Sequence, residues 1–130
     1  MSKPQDMNFG KLGAAIFGIT NVETLAITSN PVIMPNVTAH ILIHGTVEAG
    51  NGAGAAILTL KLYRGASITG TLVFTSQGYP IAANAAQPFS FDFEEDLANA
   101  AGAQYTLSVT NNVNQANNNI NSALIVVTVL

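Results

Sequence analysis

The sequence feature that most constrains the fold is the run from Ser122 to Leu130, which is almost entirely β-branched or otherwise apolar. Successive side chains of a β-strand point to opposite faces of its sheet. In a strand, one face of this run carries Ala123, Ile125, Val127 and Val129, and the other carries Leu124, Val126, Thr128 and Leu130. A strand that is apolar on both faces needs cover on both. We expect one face in the core of its own domain and the other against a second layer or another subunit.

The rest of the chain predicts more strands and no sustained helix. Alternating patterns and short apolar runs bounded by Gly, Pro and Asn predict strands at 14–19, 22–28, 37–47, 56–63, 68–75, 89–94 and 105–110. Connections are expected at 77–87 and 111–121, and one helical turn or a loop at 95–102. Seven or eight strands at this spacing predict an all-β, antiparallel β-sandwich of jelly-roll type.

The first residues follow a different pattern. Residues 1–13 contain Pro4, two glycines and two lysines and show no clear periodicity. They are predicted to form an extended N-terminal arm, followed by a single β-sandwich domain at 14–130. Within that domain the inward rows are expected from Leu58, Leu60, Leu62, Phe89, Phe91, Phe93, Leu107 and Val109.

The composition excludes several classes of partner. Charged residues make up only 8% of the chain, against about 25% in typical soluble domains. Four cations and a net charge of −3 do not supply the clustered Lys and Arg on which nucleic-acid binding depends. No apolar run approaches the roughly 20 residues that span a bilayer. We therefore expect neither a nucleic-acid nor a membrane partner, and a surface suited to packing against neighbouring subunits.

His40 and His44 form the first candidate site. They would lie on one face of a helix, but in a strand four residues span about 13 Å, which is too far for one metal ion. We interpret them as two half-exposed strand histidines. At a subunit contact they would make assembly sensitive to pH, because histidine titrates near neutrality.

The acidic run Asp92, Glu94, Glu95 and Asp96 is the second candidate. Carboxylate oxygens can hold Ca²⁺, but this run lacks the spacing of a calcium loop, and Asp92 and Glu94 alternate with phenylalanines. The solvated face of a strand is the preferred interpretation, and the calcium site remains an alternative.

Catalysis and cofactors find no support in the sequence. There is no cysteine, both histidines fall on one predicted strand, and no Gly-x-Ser-x-Gly elbow or carboxylate pair in a predicted cleft accompanies them. We expect a protein that is not an enzyme and that has no cofactor and no resident metal.

From residue 58 onward the order of segments resembles a known group of proteins. The segment Leu60-Lys61-Leu62-Tyr63-Arg64-Gly65 resembles a strand and turn of small β-sandwich modules in bacteriophage fibre and virion proteins. Pro88-Phe89-Ser90-Phe91-Asp92, Tyr105-Thr106-Leu107-Ser108-Val109 and the closing run echo the segments that follow it there. Jelly rolls of the tumour-necrosis-factor and complement C1q type share this ending, and in them the last strand lies near a threefold axis.

The resemblance implies a viral structural protein located in the virion. It would be a capsid decoration, cement or head-fibre protein that forms a homotrimer and binds the capsid shell. The expected oligomer interface is Leu124, Val126, Thr128 and Leu130, and the expected shell-binding arm residues are Lys3, Phe9, Lys11 and Leu12. The alternative is a carbohydrate- or receptor-binding sandwich of a fibre, spore or surface-layer protein, with Tyr63 and Tyr79 as candidate surface aromatics.

Overall fold

The fold is given by a computed structural model that describes residues 6–32, 38–52, 55–98, 102–113 and 118–130. Ten strands lie within these ranges. They are β1 Asp6–Lys11, β2 Ile16–Ile19, β3 Thr24–Thr28, β4 Thr38–Asn51, β5 Ala56–Arg64, β6 Thr71–Thr75, β7 Tyr79–Ile81, β8 Ala86–Ala98, β9 Tyr105–Asn111 and β10 Asn118–Val129. None of the described residues belongs to a helix long and apolar enough to cross a membrane.

The strands form two antiparallel sheets. Sheet A has the order β1-β10-β4-β8, and β2 also pairs with β10. Sheet B has the order β3-β9-β5-β6, and β7 also pairs with β5. The predicted antiparallel β-sandwich of jelly-roll type is confirmed, although the described residues form ten strands rather than the expected seven or eight.

The core lies between the two sheets and follows the predicted alternation. Ile125, Val127 and Val129 of β10 are fully buried, and Leu60 and Leu62 of β5 face them from sheet B. Each such side chain contributes roughly 1.5–3 kcal/mol when it is removed from water. Of the predicted phenylalanine row, Phe91 is buried, whereas Phe89 and Phe93 are partly buried against the core.

The N-terminal segment differs from its prediction. Residues 6–11 are not an arm outside the sandwich, because they form β1 and pair with β10 from Asp6↔Val129 to Lys11↔Leu124. The backbone of Leu12 continues this pairing by donating to the Ala123 carbonyl at 2.9 Å. The reason is that β4 occupies only one edge of β10, and the other edge needs partners for its backbone N–H and C=O groups. Lys3 lies outside the described residues.

The predicted loops also contain more strand than expected. β4 continues to Asn51 and β8 extends from Ala86 to Ala98, because these two strands pair along their whole length, from Thr38↔Ala98 to Gly50↔Ala86. The expected helical turn or loop at 95–102 is therefore wrong for its first four residues. The expected connection at 77–87 contains the short strand β7, which pairs with β5.

Two clusters of hydrogen-bonded polar side chains connect the sheets within the apolar core. Glu95 of β8 points toward sheet B, where Arg64 donates to its carboxylate at 2.6 and 3.2 Å and Tyr105 donates at 2.6 Å. Burial raises the pKa of Glu95, but the hydrogen bonds from Arg64 and Tyr105 outweigh this and hold the pKa below its ordinary 4.5. The carboxylate therefore stays ionised and paired, which is the condition under which a charge is tolerated inside a protein.

At one end of the sandwich three buried asparagines form a second connection. Asn118 of β10 donates to the side chain of Asn51 at 2.8 Å and accepts from Asn111 of β9. Asn51 and Asn111 also donate to the carbonyls of Ile81 and Ile19. These asparagines thus connect strands of both sheets. Two of them, Asn111 and Asn118, lie in the Asn-rich segment that was expected to be a loop.

Gly45 gives a test of the packing between the sheets. A Cβ added at Gly45 would lie 2.2 Å from Cε1 of Phe91, whose ring is stacked on Phe74 of sheet B with centroids 5.2 Å apart. We predict that Gly45→Ala lowers the free energy of unfolding by about 1–3 kcal/mol, as is typical of overpacked cores. The matched control is Gly13→Ala, because a Cβ there meets nothing within 4 Å. Urea unfolding measures both, and equal stability of the two variants would contradict this account of the core.

Candidate interaction surface on sheet A

The outer face of sheet A is the surface that the sequence singled out. Alternation along its four main strands places a set of side chains away from the core. They are Met7, Phe9 and Lys11 of β1, Leu124, Val126 and Thr128 of β10, His40, Leu42, His44, Thr46 and Glu48 of β4, and Ser90, Asp92, Glu94 and Asp96 of β8. Leu130 continues the β10 row immediately beyond the strand, and its N–H donates to the carbonyl of His40 at 2.9 Å.

One half of this face is apolar. Strand pairing puts Phe9 opposite Val126, and Met7 opposite Thr128. Met7 and Phe9 are 55% and 54% exposed, whereas Leu124, Val126, Thr128 and Leu130 are half-buried. The structure therefore brings the four predicted interface residues together and adds two exposed apolar neighbours from β1.

The predicted shell-binding residues are separated by the fold. Phe9 and Lys11 lie on the outer face of sheet A, directly beside Val126 and Leu124. Leu12 is packed against the core instead, because it follows the outward-facing Lys11 and the alternation of the strand directs its side chain inward. Two of the four residues are thus available to a partner, and they share a face with the predicted oligomer interface.

The other half of the face is polar and acidic. His44 Nδ1 lies 2.7 Å from Asp92 Oδ1, while His40 Nδ1 lies 2.7 Å from Asp96 Oδ1 and its Nε2 lies 3.2 Å from Glu94 Oε2. The interpretation of both histidines as half-exposed strand residues is confirmed, with 39% and 54% of their side chains accessible.

His40 has an unusual hydrogen-bonding environment. Both ring nitrogens face carboxylate oxygens, which can only accept, and a neutral imidazole has only one N–H to donate. The protonated ring alone makes both bonds. The hydrogen bond to Asp96, followed by the one to Glu94, raises the pKa of His40 above its ordinary 6.5.

The four acidic residues of the candidate calcium site are divided between two faces. Asp92, Glu94 and Asp96 point outward and are 84%, 67% and 73% exposed at their side chains. Glu95 points inward to Arg64 and Tyr105. Within the described residues, no group of three or more His, Cys, Asp or Glu side chains is arranged to hold a metal ion.

A shallow depression of about 530 Å³ lies between the apolar and acidic halves. Its lining includes Leu42 and His44 of β4, Asp92 and Glu94 of β8, and Val126 and Thr128 of β10. Its floor is apolar and its rim is acidic. Such a surface can accept an apolar side chain that is accompanied by a positive charge.

The two tyrosines proposed for sugar stacking are both engaged. Tyr63 is only 7% exposed, and its hydroxyl donates to Glu23 at 2.5 Å. That bond raises the pKa of Tyr63 to about 12. Tyr79 is stacked on Phe89 with ring centroids 4.5 Å apart and is half-buried. The expectation that Tyr63 is a surface aromatic is therefore wrong.

Sequence reasoning did not single out several exposed or half-exposed apolar residues. Met7 and Leu42 extend the apolar half of the outer face of sheet A, and Phe17 of β2 is 74% exposed. The alternation of Met7, Phe9 and Lys11 with Asp6, Asn8 and Gly10 was the signal for β1. It was hidden by the glycines and lysines around it.

Comparison with known proteins identifies the fold but no family. No family model and no curated protein matches the chain. Among solved structures, 98% of the chain is similar to part of a chain from infectious bursal disease virus, Gx strain, with a TM-score of 0.66 and 13% identity. A chain of the T13 particle of the same virus gives a TM-score of 0.60 and 10% identity over 98% of this chain.

A third neighbour is of comparable length. Eiger TNF from S. frugiperda matches with a TM-score of 0.50 and 12% identity, over 98% of this chain and 94% of that one. In contrast, this chain spans about a third, 32%, of each of the two viral chains. The jelly-roll fold of viral capsid and TNF-like proteins is thus established. The viral neighbours come from infectious bursal disease virus, whereas the resemblance in the sequence suggested a bacteriophage.

The environment of His40 leads to a prediction about pH. Because the folded-state pKa of His40 is above 6.5, its stabilising contribution is complete below pH 6.5 and is lost as the pH rises through the folded-state value. We expect an NMR titration of the His40 ring to give a midpoint above 6.5, and Asp96→Asn to lower that midpoint. A midpoint that does not change in Asp96→Asn would show that the carboxylate is not the cause.

Proposed function

We propose that this protein is a non-enzymatic structural protein of a virion that forms a homotrimer through the outer face of sheet A. The observation that carries the proposal is the second face of β10. Leu124, Val126 and Leu130 remain half-exposed in the protomer and lie beside the exposed side chains of Met7 and Phe9. Contiguous exposed apolar surface of this kind marks interaction sites in soluble proteins.

The energetics favour a protein partner on this face. Full burial of a Leu or Val side chain contributes roughly 1.5–3 kcal/mol, and the half-exposed residues have not yet gained all of it. The apolar half of the face carries a single charged side chain, Lys11 at its border. A centre without charges and a rim with charges is the usual anatomy of a protein–protein interface.

The proposed virion role and threefold arrangement are supported by similarity of fold. Domains with this fold occur in the capsid chains of infectious bursal disease virus, and the resemblance to jelly rolls of the TNF and C1q type implies a threefold axis near the last strand. Fold alone does not define function. The low content of charge, 8%, adds an independent reason to expect a protein that works in contact with others.

Within this proposal the protein decorates or cements a capsid shell, or forms a small head fibre. Phe9 and Lys11 belong to the self-association face, because they lie beside Val126 and Leu124. We assign the shell contact to the segment that carries Phe17 and Val22, which are 74% and 66% exposed. Phe17 lies on β2, which pairs with β10 at Asn119, beyond the Leu124 end of the self-association face. The proposed shell contact is therefore next to that face and not within it.

Neighbouring residues of β10 test the self-association. Val126 is half-buried on the outer face and Val127 is fully buried in the core. We predict that Val126→Asp leaves the protomer folded but weakens the oligomer at least tenfold, about 1.4 kcal/mol, because an unpaired carboxylate is costly in an apolar interface. Val127→Asp, the matched control, should unfold the chain.

Mass photometry and circular dichroism together read out both variants. A trimer of the unmodified chain that dissociates in Val126→Asp, with the strand signal retained, supports the proposal. A monomeric unmodified chain would contradict the interface, and unfolding of Val126→Asp would show that this face is part of the protomer's own core.

The virion role needs a separate measurement. We predict that the purified protein co-sediments with capsids of the virus that encodes it, and that Phe17→Ser weakens this association by at least about tenfold, as expected when an exposed apolar anchor is lost. Leu72→Ser, a 47% exposed leucine on sheet B, is the control and should bind normally. Absence of any co-sedimentation would refute the virion role without affecting self-association.

A further inference from the structure

The outer face of sheet A has an uneven distribution of charge. Asp92, Glu94 and Asp96 line its β8 edge, and Lys11 lies at its β1 edge. Within the described ranges the other cations, Lys61 and Arg64, belong to β5 of sheet B, and Arg64 is already paired with Glu95. Lys11 is therefore the one lysine or arginine that the described part of the chain places on this face.

The opposite charges cannot meet within one protomer. β10 and β4 lie between β1 and β8, and neighbouring strands are about 4.8 Å apart, so the two edges are separated by roughly 14 Å. An ion pair requires a separation of about 4 Å or less. Within the described part of the protomer the acidic row contacts only His40 and His44, and Lys11 reaches no member of it. Lys11 is therefore left for the acidic row of a partner.

We infer that, in the assembly proposed above, the β1 edge of one copy packs on the β8 edge of the next copy. This inference rests on the proposed self-association and specifies which parts of the face meet. Phe9 of one copy occupies the depression between Val126, His44 and Asp92 of its neighbour. Lys11 of the same strand faces the carboxylates of Asp92 and Glu94 on the rim.

The chemistry of the two edges is complementary. The β1 edge presents Phe9, 54% exposed, and Lys11 two residues further along the same face. The depression has an apolar floor formed with Val126 and Leu42 and an acidic rim. Like charges brought together oppose association, whereas complementary charges fix the orientation of the partners. Packing two β8 edges together would oppose six carboxylates, so pairing β8 with β1 is the arrangement that the charges favour.

This arrangement also agrees with a closed ring. In a threefold ring each copy offers one surface to the copy on its left and a different surface to the copy on its right. The β1 edge and the β8 edge are two such surfaces, and each copy uses each of them once. The apolar half of the face then lies between the two charged edges and is covered on all copies alike.

Charge reversal tests the pairing. We expect Lys11→Glu and Glu94→Lys each to weaken assembly by at least about tenfold, because each brings like charges together. The double variant Lys11→Glu/Glu94→Lys restores opposite charges across the contact. It should return the dissociation constant to within about threefold of the unmodified chain, because the same ion pair forms with its charges exchanged. Asp92→Lys is a second charge reversal on the acidic edge, included in case Glu94→Lys disturbs β8. Mass photometry over a dilution series gives the dissociation constants, and circular dichroism verifies folding.

Mixing the two single variants adds a second readout. In a trimer any mixture keeps one contact between two copies of the same variant, so mixing restores less assembly than the double variant does. Full restoration by mixing would indicate a ring with an even number of copies. That outcome would overturn the homotrimer while supporting the pairing of the edges.

The remaining outcomes separate the two proposals. If Lys11→Glu, Glu94→Lys and Asp92→Lys all assemble like the unmodified chain while Val126→Asp still dissociates, the edge pairing is refuted and the proposed interface stands. If the double variant is no better than the single ones, the edge pairing is likewise refuted. If the unmodified chain is a monomer, both proposals fail.

Discussion

Strand β10 pairs with β1 and β2 along one edge and with β4 along the other, so its backbone holds three of the other four strands of sheet A. Its inner row, from Ala123 to Val129, is buried in the core against sheet B. A strand with both edges paired and one face buried has only one surface left. In this chain that surface is again apolar, and the proposed self-association rests on it.

The polar side chains that are buried within the described residues are hydrogen-bonded. Glu95 is held by Arg64 and Tyr105, and the asparagines 51, 111 and 118 bond to one another and to strand carbonyls. Buried polar groups without partners are costly, whereas fully bonded networks favour one arrangement over its alternatives. These two connections therefore specify how the sheets are aligned, while the aliphatic residues between them supply most of the driving force for folding.

The same alternation that builds the core also sorts the chemistry of the outer face. On β8 it sends Asp92, Glu94 and Asp96 outward and Glu95 inward, so one acidic run performs two tasks. On β4 it aligns His40 and His44 with those carboxylates. A face with an apolar half, an acidic edge and a lysine on the opposite edge is thereby produced by period-2 patterning alone. Its separation into complementary edges is the observation on which the proposed pairing of copies rests.

The sequence by itself determined the fold class, the inward rows and the two apolar faces of the closing strand, because period-2 alternation is a local property that can be read from consecutive residues. It also indicated that His40 and His44 lie on a strand, where they are too far apart to bind one metal ion as a helical pair would. Only the tertiary structure decided that residues 6–11 are a strand, that Glu95 turns inward to Arg64, and that Tyr63 is covered. Each of these depends on a partner distant in the chain, β10, β5 and Glu23 respectively, and no local pattern encodes which distant strand supplies a hydrogen bond. The closing run indicated that both faces of its strand would be covered. The juxtaposition of Phe9, Val126 and His44 that defines the surface, however, exists only once three strands have paired.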